Sequence, residues 1–297
     1  AKKVKLTNVP LVKDIFTMTD LLKFIGLKVK IEKKKNIIEL KNYKKKINTL
    51  APYKLVKTMR AGVLVLGSIL TRYKKAKVSL PGGCAIGTRP VDLHLFALKK
   101  LGAKIKIKDG YILADAKKGL KGTKIKFPSI SVGATENAIL AAFNAKGETI
   151  LSNCAIEPEI QDLISFLNKL GGKIKIFGRK IIIKRQRLLK KNINYRIIFD
   201  RIEAGTYLVA GILAGEKIKI NDVKPKILKC EIDTLKKMGA KIKIGKSSIE
   251  VKKNKILKKL NISTKPYPGF PTDLQAQLMV LMTQAEGLSK IKENIFE

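Results

Sequence analysis

The chain has 297 residues, which is enough for two domains with buried cores. Its 63 Lys and Arg against 23 Asp and Glu give a formal net charge of +40, with the lysines spread along nearly every predicted strand. This spread argues against a dedicated nucleic-acid surface, because scattered charge gives only non-specific, salt-sensitive binding. Three cysteines without paired spacing argue against a disulfide framework, and no apolar run approaches the roughly 20 residues of a membrane span. We therefore expect a soluble, cytoplasmic protein.

A repeat of about 70 residues is the strongest structural pattern in the chain. Leucine-rich helical stretches end at a glycine and run into alternating Lys and Ile at Gly26, Gly102, Gly171 and Gly239. Apolar helical stretches that end at a glycine before a short strand recur at Gly147, Gly215 and Gly287. We predict that these glycines terminate the helices in the left-handed conformation, which glycine enters without a side-chain penalty.

The helical stretches and the strands together predict where the core lies. Residues 61–70, 137–145, 204–214 and 275–283 are apolar nearly all round, so these helices should be buried on most sides. The strands alternate Ile with Lys, which predicts one packed and one solvated face for each sheet. We therefore predict an α/β fold with helices inside and sheets outside.

The repeat also divides the chain into units and domains. Residues 1–50 hold the end of one unit, 51–118 and 119–187 hold two more, a fourth extends to about 253, and a fifth begins near Leu260. The basic stretch 190–198 marks the predicted boundary between a first domain, 1–197, and a partial second domain, 198–297. The segment 79–94 is inserted between the two helices of its unit.

That inserted segment, SLPGGCAIGTRPVDLH, carries the strongest chemical signal. Pro81 and the two glycines after it are typical of a tight turn that allows close backbone approach. Cys84 follows the turn, with Arg89 five residues later and His94, the chain's one histidine, five residues after that. A thiol beside a guanidinium on a glycine loop has the environment of a reactive cysteine. The loop alone is equally compatible with a surface turn that carries an incidental cysteine.

The whole string resembles the catalytic loop of the UDP-N-acetylglucosamine enolpyruvyl transferase family. Further matches occur, in the family's order, at 51–62 (APYKLVKTMRAG), 131–135 (SVGAT), 157–160 (EPEI), 200–206 (DRIEAGT) and 270–277 (FPTDLQAQ). The resemblance implies an inside-out α/β barrel with βαβαββ units and two domains. Because the family's chains are longer, we expect this chain to be truncated at both ends, with an incomplete second domain and little transferase activity by itself.

The resemblance implies a transferase that moves the enolpyruvyl group of phosphoenolpyruvate to the 3′-hydroxyl of UDP-N-acetylglucosamine and releases phosphate. This is the first committed step of peptidoglycan, and hence cell wall, biosynthesis. On the family's pattern, Cys84 is the proton donor that fosfomycin alkylates, and Asp273 is the base for the sugar hydroxyl. Asp273 could instead simply cap the helix that follows it.

The other residues that match the family are assigned by segment. Arg60 and Arg89 match arginines that hold phosphate-bearing substrate, as their planar guanidinium groups suit. The predicted nucleotide and sugar contacts are Arg89, Pro90, Val91, Asp92, Leu93, Ser129, Ile130, Ser131, Val132, Gly133, Asp273 and Ile295. Ser129 stands where the family often has lysine. The predicted positioning groups are His94, Glu157, Asp200 and Arg201, although the last three could equally form an interdomain salt-bridge network.

The resemblance implies no cofactor and no metal, only the two small-molecule substrates, and we expect a monomer. Three alternatives stay open. The first is the sister transferase acting on shikimate 3-phosphate, which lacks a cysteine loop of this kind. The second is a catalytically impaired fragment or UDP-sugar-binding remnant of the same family. The third is a basic nucleic-acid binder.

Overall fold

The computed structural model describes residues 2–42, 47–82, 91–186, 189, 191–215, 217–253 and 256–296. The chain forms two compact units, Ala1–Ile198 and Phe199–Glu297. The boundary expected from the sequence, between 197 and 198, lies one residue before this division. Each unit has its own cluster of buried apolar side chains.

The first unit contains twelve strands and six α-helices among its described residues. The strands are β1 (Lys3–Thr7), β2 (Leu27–Glu32), β3 (Ile37–Asn42), β4 (Leu50–Ala51), β5 (Lys75–Ser79), β6 (Lys104–Lys108), β7 (Tyr111–Asp115), β8 (Lys124–Lys126), β9 (Glu148–Ser152), β10 (Lys173–Phe177), β11 (Lys180–Lys184) and β12 (Ile193–Arg196). The helices are α1 (Lys13–Ile25), α2 (Tyr53–Val56), α3 (Val65–Tyr73), α4 (Asp92–Lys100), α5 (Val132–Ala142) and α6 (Pro158–Lys169). A 3-10 helix, Arg60–Leu64, leads into α3.

Two sheets of this unit repeat one topology. Their strand orders are β4-β5-β7-β6 and β8-β9-β11-β10. In each, the first two strands pair in parallel and the remaining neighbours pair antiparallel. The chain therefore runs strand, helix, strand, helix, strand, strand, which confirms the predicted βαβαββ repeat.

A third sheet joins strands from the two ends of the first unit. Its order is β12-β1-β3-β2, and β12 pairs with β1 in parallel, with Val4 opposite Ile193. A stretch 190 residues along the chain thus supplies the first strand of the first repeat. The sequence predicts only a domain boundary in this stretch and not the strand, because strand pairing over such a distance leaves no local pattern.

The strand β12 is also fixed by its side chains. Ile193 is 2% exposed, and the Tyr195 ring packs edge-on against Phe166 of α6, with ring centroids 5.2 Å apart. The Tyr195 hydroxyl donates to the Asp162 carboxylate at 2.8 Å. The boundary region is therefore an integral part of the first unit's fold.

The core of the first unit lies between its sheets and around its apolar helices. In α5, seven of eleven residues are buried, whereas the strands bury alternate residues, as in Lys124, Ile125 and Lys126. Alternation of this kind leaves the lysine face of each sheet in solvent. The predicted arrangement, with helices inside and sheets outside, is confirmed for this unit.

The second unit contains strands β13 (Ile218–Asn221), β14 (Ile242–Ile244), β15 (Ser248–Val251), β16 (Asn261–Ser263) and β17 (Lys290–Lys292), and helices α7 (Arg201–Leu213), α8 (Lys229–Lys237) and α9 (Gln275–Met282). Its sheets are β13-β15-β14 and the parallel pair β16-β17.

The prediction that the helix at 275–283 is buried on most sides is wrong. Leu278, Leu281 and Met282 are buried, but Met279 is 47% and Val280 is 56% exposed. A helix that is apolar all round buries only the faces that neighbours cover, and this one packs mainly on α7.

The glycines that end the helices mostly behave as predicted. Gly26, Gly102, Gly171, Gly239, Gly147 and Gly287 all have positive φ. Gly215 does not have a positive φ. Its small size matters instead, because a Cβ there would lie 3.0 Å from both Gly211 Cα and Ile218 Cγ1. The left-handed cap predicted at Gly215 is therefore wrong, and close helix-to-strand packing replaces it.

Candidate active site

The loop with the reactive-cysteine signature lies between two well-anchored flanks. Cys84, Arg89 and Pro90 fall outside the described residues, so their roles remain predictions. On the near side, the Leu80 amide donates to the Gly110 carbonyl at 2.9 Å. A Cβ on Gly82 would lie 2.5 Å from the Lys57 carbonyl oxygen, so only glycine permits this approach of the two backbones.

The far flank runs directly into helix α4. Val91 is buried and precedes the helix, and its carbonyl accepts from the Leu95 amide at 3.0 Å. Asp92 is exposed in the first turn, where a carboxylate is favoured by the positive end of the helix dipole. Leu93 is half-buried, and His94 turns into the protein with only 4% exposure.

Asn137, a fully buried residue of α5, joins three of the predicted site segments. Its Oδ1 accepts from the Gly67 amide of α3 at 2.8 Å. Its Nδ2 donates to the Val63 carbonyl at 3.2 Å, in the 3-10 helix that begins with Arg60. The same Nδ2 lies 3.1 Å from His94 Nδ1. The side chain therefore links helix α3, the 3-10 helix that carries Arg60, and His94 of α4.

This geometry sets the protonation state of His94. Because the Asn137 oxygen accepts from an amide, its nitrogen must be the donor, so His94 Nδ1 accepts and the ring proton lies on Nε2. Burial and, to a smaller extent, the positive charge of Arg60 lower the pKa of His94 to about 4, against the opposite effect of Asp92. His94 is thus a neutral group that cannot serve as a general acid near neutral pH.

The SVGAT segment forms the first turn of α5. Ser131 is the N-cap, and its Oγ accepts from the Ala134 amide at 3.3 Å. A Cβ on Gly133 would lie 3.0 Å from His94 Cε1, so glycine here lets the imidazole pack against the helix start. Ser129 and Val132 are exposed, while Ile130 is half-buried against the core.

Thr135 ties this turn to the EPEI segment. Its fully buried hydroxyl donates to the Ser131 carbonyl at 2.7 Å and accepts from the Ala155 amide at 3.1 Å. Two residues after Ala155 comes Glu157, which is 6% exposed and immediately precedes α6. The SVGAT segment (131–135) and the EPEI segment (157–160) are thus held side by side.

Glu136 of α5 is influenced by the two carboxylates of the EPEI segment, Glu157 and Glu159. Burial first, and then the negative charges of Glu159 and Glu157, together raise the pKa of Glu136 to about 7. Glu136 is therefore partly protonated near neutral pH, which lowers the repulsion among the three groups.

In the second unit, Asp200 and Arg201 have structural partners. Asp200 Oδ1 caps α7 by accepting from the Ile202 amide at 2.8 Å and the Glu203 amide at 3.0 Å. Arg201 is 7% exposed, with its Nη1 3.6 Å from Glu231 Oε1 and its guanidinium over the Tyr267 ring. Asp200 is thus a helix cap, and the ion pair of Arg201 lies within the second unit.

Asp273 and Ile295 come from separate segments that meet at Glu293. Asp273 is exposed in the 3-10 turn Thr272–Leu274, and Pro271, not Asp273, is the N-cap of that turn. Ile295 is 38% exposed and follows β17. Glu293 Oε1 accepts from the Thr272 hydroxyl at 3.2 Å and from the Ile295 amide at 2.6 Å. Asp273 therefore does not cap the helix that follows it, because the N-cap of α9 is Leu274.

Comparison with known proteins places the chain in a family. The sequence model described as EPSP synthase (3-phosphoshikimate 1-carboxyvinyltransferase) matches residues 1–297. A UDP-N-acetylglucosamine 1-carboxyvinyltransferase of Pelagibacter ubique is 56% identical over 296 residues, which cover 100% of this chain and 70% of that protein. Proteins with the same name from Endomicrobium trichonymphae and Rickettsia akari are each 48% identical, across 99% of this chain and 70% and 71% of their own lengths.

The chain belongs to the EPSP synthase family of carboxyvinyltransferases.

Solved structures of the family share its fold. The enolpyruvyl transferase NikO from Streptomyces tendae superposes with a TM-score of 0.85 at 20% identity, over 98% of this chain and 69% of that one. An EPSP synthase from Acinetobacter baumannii gives a TM-score of 0.71 at 18% identity, over 97% and 67%. The predicted enolpyruvyl-transferase fold is therefore confirmed.

Within this carboxyvinyltransferase, the structure gathers the predicted residues into two groups. Arg60, the 91–94 segment and the 131–133 turn converge on Asn137 and His94 in the first unit. Asp273 and Ile295 converge on Glu293 in the second unit. Asn137, Thr135 and Glu293 are not among the site residues predicted from the sequence. The signal available for the first two was a polar side chain inside an apolar helix, because a buried polar group requires a partner.

Proposed function

We propose that this protein transfers the enolpyruvyl group of phosphoenolpyruvate to the 3′-hydroxyl of UDP-N-acetylglucosamine and releases phosphate, at the entry to peptidoglycan and cell wall synthesis. The observation that carries the choice of acceptor is the 56% identity over the whole chain with a relative named for this substrate. The solved EPSP synthase, in contrast, shares 18% identity. A cytoplasmic location and a monomeric state are part of the proposal.

The reaction requires a base and an acid at defined atoms. The sugar oxygen bonds to C2 of phosphoenolpyruvate as its proton leaves to a base, and C3 gains a proton. The tetrahedral intermediate then loses phosphate from C2 and a proton from C3. We assign the base to Asp273, whose carboxylate is exposed in its turn, and the proton donor to Cys84.

The binding groups follow from charge and position. Arg60 and Arg89 supply guanidinium groups for phosphate oxygens. The 91–93 segment and residues 129–133 supply the nucleotide contacts, and the amides at the start of α5 favour an anion because they lack partners within the helix. His94 is a positioning residue, since its neutral ring packs against Gly133. Glu157, Asp200 and Arg201 are assigned to positioning as well.

The test is phosphate release from phosphoenolpyruvate with each acceptor in turn. Because little activity is expected of this chain by itself, we expect slow release with UDP-N-acetylglucosamine, measured at high protein concentration, and none above background with shikimate 3-phosphate. Release only with shikimate 3-phosphate would assign the protein to the sister activity. Sugar binding without release would favour the binding-remnant alternative.

Asp273→Asn separates the base role from simple binding. Loss of a general base lowers kcat by about 10²–10⁴-fold, while the Kd for UDP-N-acetylglucosamine should stay within about twofold, because ground-state contacts remain. Asp233→Asn, which alters an exposed carboxylate paired with Lys229, is the matched control. Lost sugar binding with normal single-turnover chemistry would contradict the assignment.

A further inference from the structure

Glu293 accepts an unusual number of hydrogen bonds with one oxygen. Its Oε1 accepts from the Thr264 hydroxyl at 2.9 Å, the Thr272 hydroxyl at 3.2 Å, the Ile295 amide at 2.6 Å and the Phe296 amide at 3.1 Å. A carboxylate is well suited to this role, because hydrogen bonds to a charged acceptor are about twice as strong as neutral ones.

The four donors come from three segments that no local pattern connects. Thr264 follows β16, Glu293 follows β17, and these strands are parallel, so both residues lie at the carboxyl end of the pair. Thr272 begins the turn that carries Asp273. Thr264 itself is fully buried, and its hydroxyl also accepts from the Asn294 amide at 2.9 Å. The carboxylate therefore fixes the Asp273 turn and the Ile295 backbone to the same strand ends.

We propose that Glu293 is a positioning residue for the sugar acceptor, because it holds the Asp273 turn at a fixed distance from the backbone at Ile295. The inference rests on the proposed function, which assigns Asp273 to the sugar hydroxyl, and on the sugar contact that the sequence predicts for Ile295.

The charge on Glu293 is retained despite its surroundings. Burial raises its pKa, but the hydrogen bonds from the Ile295 amide, Thr264, the Phe296 amide and Thr272 outweigh burial, so that the pKa is lowered overall. Each of these donors is neutral, so the folded segment gains most from the ionised carboxylate.

Amide hydrogen exchange tests the anchoring without reference to activity. In Glu293→Ala we expect the Ile295 and Phe296 amides to exchange at least about tenfold faster than in the wild type, because both lose their acceptor. Glu293→Gln keeps one acceptor oxygen and should show a smaller acceleration. Glu286→Gln, an exposed glutamate shortly before β17, is the matched control and should exchange as the wild type does.

Steady-state kinetics tests the consequence for the sugar. We expect Glu293→Gln and Thr272→Val each to raise the KM for UDP-N-acetylglucosamine by about tenfold. The KM for phosphoenolpyruvate should stay within about twofold, because only the Asp273 turn and the backbone at Ile295 move. A merely structural role would lower the active fraction and leave both KM values unchanged. Glu286→Gln should match the wild type in both.

The outcomes separate the two proposals. An active wild type with unchanged exchange and unchanged KM in Glu293→Gln and Thr272→Val would overturn the role of Glu293 and leave the proposed function standing. A wild type without phosphate release would overturn the proposed function, and with it the acceptor role of Glu293. If Glu293→Ala fails to fold, Glu293→Gln and Thr272→Val decide.

Discussion

At the residue scale, one buried amide determines how the first group of site residues meets. Asn137 satisfies an amide of α3, a carbonyl of the 3-10 helix that starts at Arg60, and the imidazole of His94. Gly67 has to be glycine for this, because a Cβ there would collide with Asn137 Oδ1 and lie 2.6 Å from the Asn137 carbonyl oxygen. The same Asn137 side chain therefore fixes the packing of α3 on α5 and positions the site residues.

Asn137→Leu should therefore be strongly destabilising. The substitution leaves a buried amide, a buried carbonyl and the His94 Nδ1 without their partner, and each such group costs about 1–3 kcal/mol. We expect the free energy of unfolding in urea to fall by about 3 kcal/mol or more. Asn192→Leu, at an exposed position, is the control. A loss equal to that of the control would contradict the role given to Asn137.

His94 predicts a specific dependence of stability on pH. Its pKa is about 4 in the folded protein and ordinarily 6.5. Below pH 6.5 the unfolded chain therefore binds a proton that the folded protein does not, so this stability is present above pH 6.5 and is lost as the pH falls toward 4. The full effect is about 3 kcal/mol.

Urea unfolding of the wild type and His94→Gln between about pH 7 and about pH 4.5 measures this difference. The wild type should lose more stability than the variant over this interval. Glu136, whose raised pKa acts in the opposite direction, is present in both proteins and cancels in the comparison. Parallel pH profiles would show that His94 is not buried as a neutral ring.

The three cysteines should differ sharply in reactivity. Cys154 is fully buried, and burial raises the pKa of its thiol to about 12. Cys230 is half-buried, and burial followed by the charge of Glu231 also raises its pKa. Since the thiolate is the nucleophile, we expect fosfomycin, with UDP-N-acetylglucosamine present, to label Cys84 well before the other two. Peptide mass spectrometry that found equal labelling at Cys154 or Cys230 would contradict this, and Cys84→Ser is the control.

At the scale of elements, strand β12 shows how a distant segment completes a repeat. Its backbone pairs with β1, and the Tyr195 hydroxyl reaches both the carboxylate and the carbonyl of Asp162, at 2.8 and 2.9 Å. The strand thus links the first sheet of the first unit to helix α6.

Tyr195→Phe tests that link with little change of shape. Loss of the hydroxyl should lower the free energy of unfolding by about 1–2 kcal/mol, because a partly buried carboxylate loses a donor. Tyr207→Phe is the control, since Tyr207 is 54% exposed. Thermal unfolding that gave the same small change for both would show that the bond does not stabilise the first unit.

Local patterns predicted most elements, and long-range contacts account for what they missed. The glycine-ended helices and the alternating Ile and Lys strands are visible in short windows of sequence, whereas the βαβαββ order was implied by the family resemblance. The Asn137 bonds span 43, 70 and 74 residues, and Glu293 reaches 29 residues back to Thr264. No periodicity encodes such partners. The resemblance in turn supplied the site residues, but not the groups that hold them.

At the scale of the whole molecule, the net positive charge affects how the protein meets its substrates. The net charge of +40 is spread over the solvated lysine faces of the sheets. Such a field attracts anionic substrates and weakens as salt is added. Both proposed substrates are anions, so this charge favours their encounter without requiring a nucleic-acid partner. Among the described residues, no helix is long and apolar enough to cross a membrane.

The central claim is enolpyruvyl transfer to UDP-N-acetylglucosamine, and product analysis tests it most directly. The purified protein is incubated with phosphoenolpyruvate and UDP-N-acetylglucosamine, and the products are identified by mass spectrometry and phosphate determination. We expect enolpyruvyl-UDP-N-acetylglucosamine and phosphate in equal amounts, with both reduced in Asp273→Asn. Unaltered UDP-N-acetylglucosamine after many equivalents of enzyme and long incubation, or phosphate released without the ether product, would contradict the account.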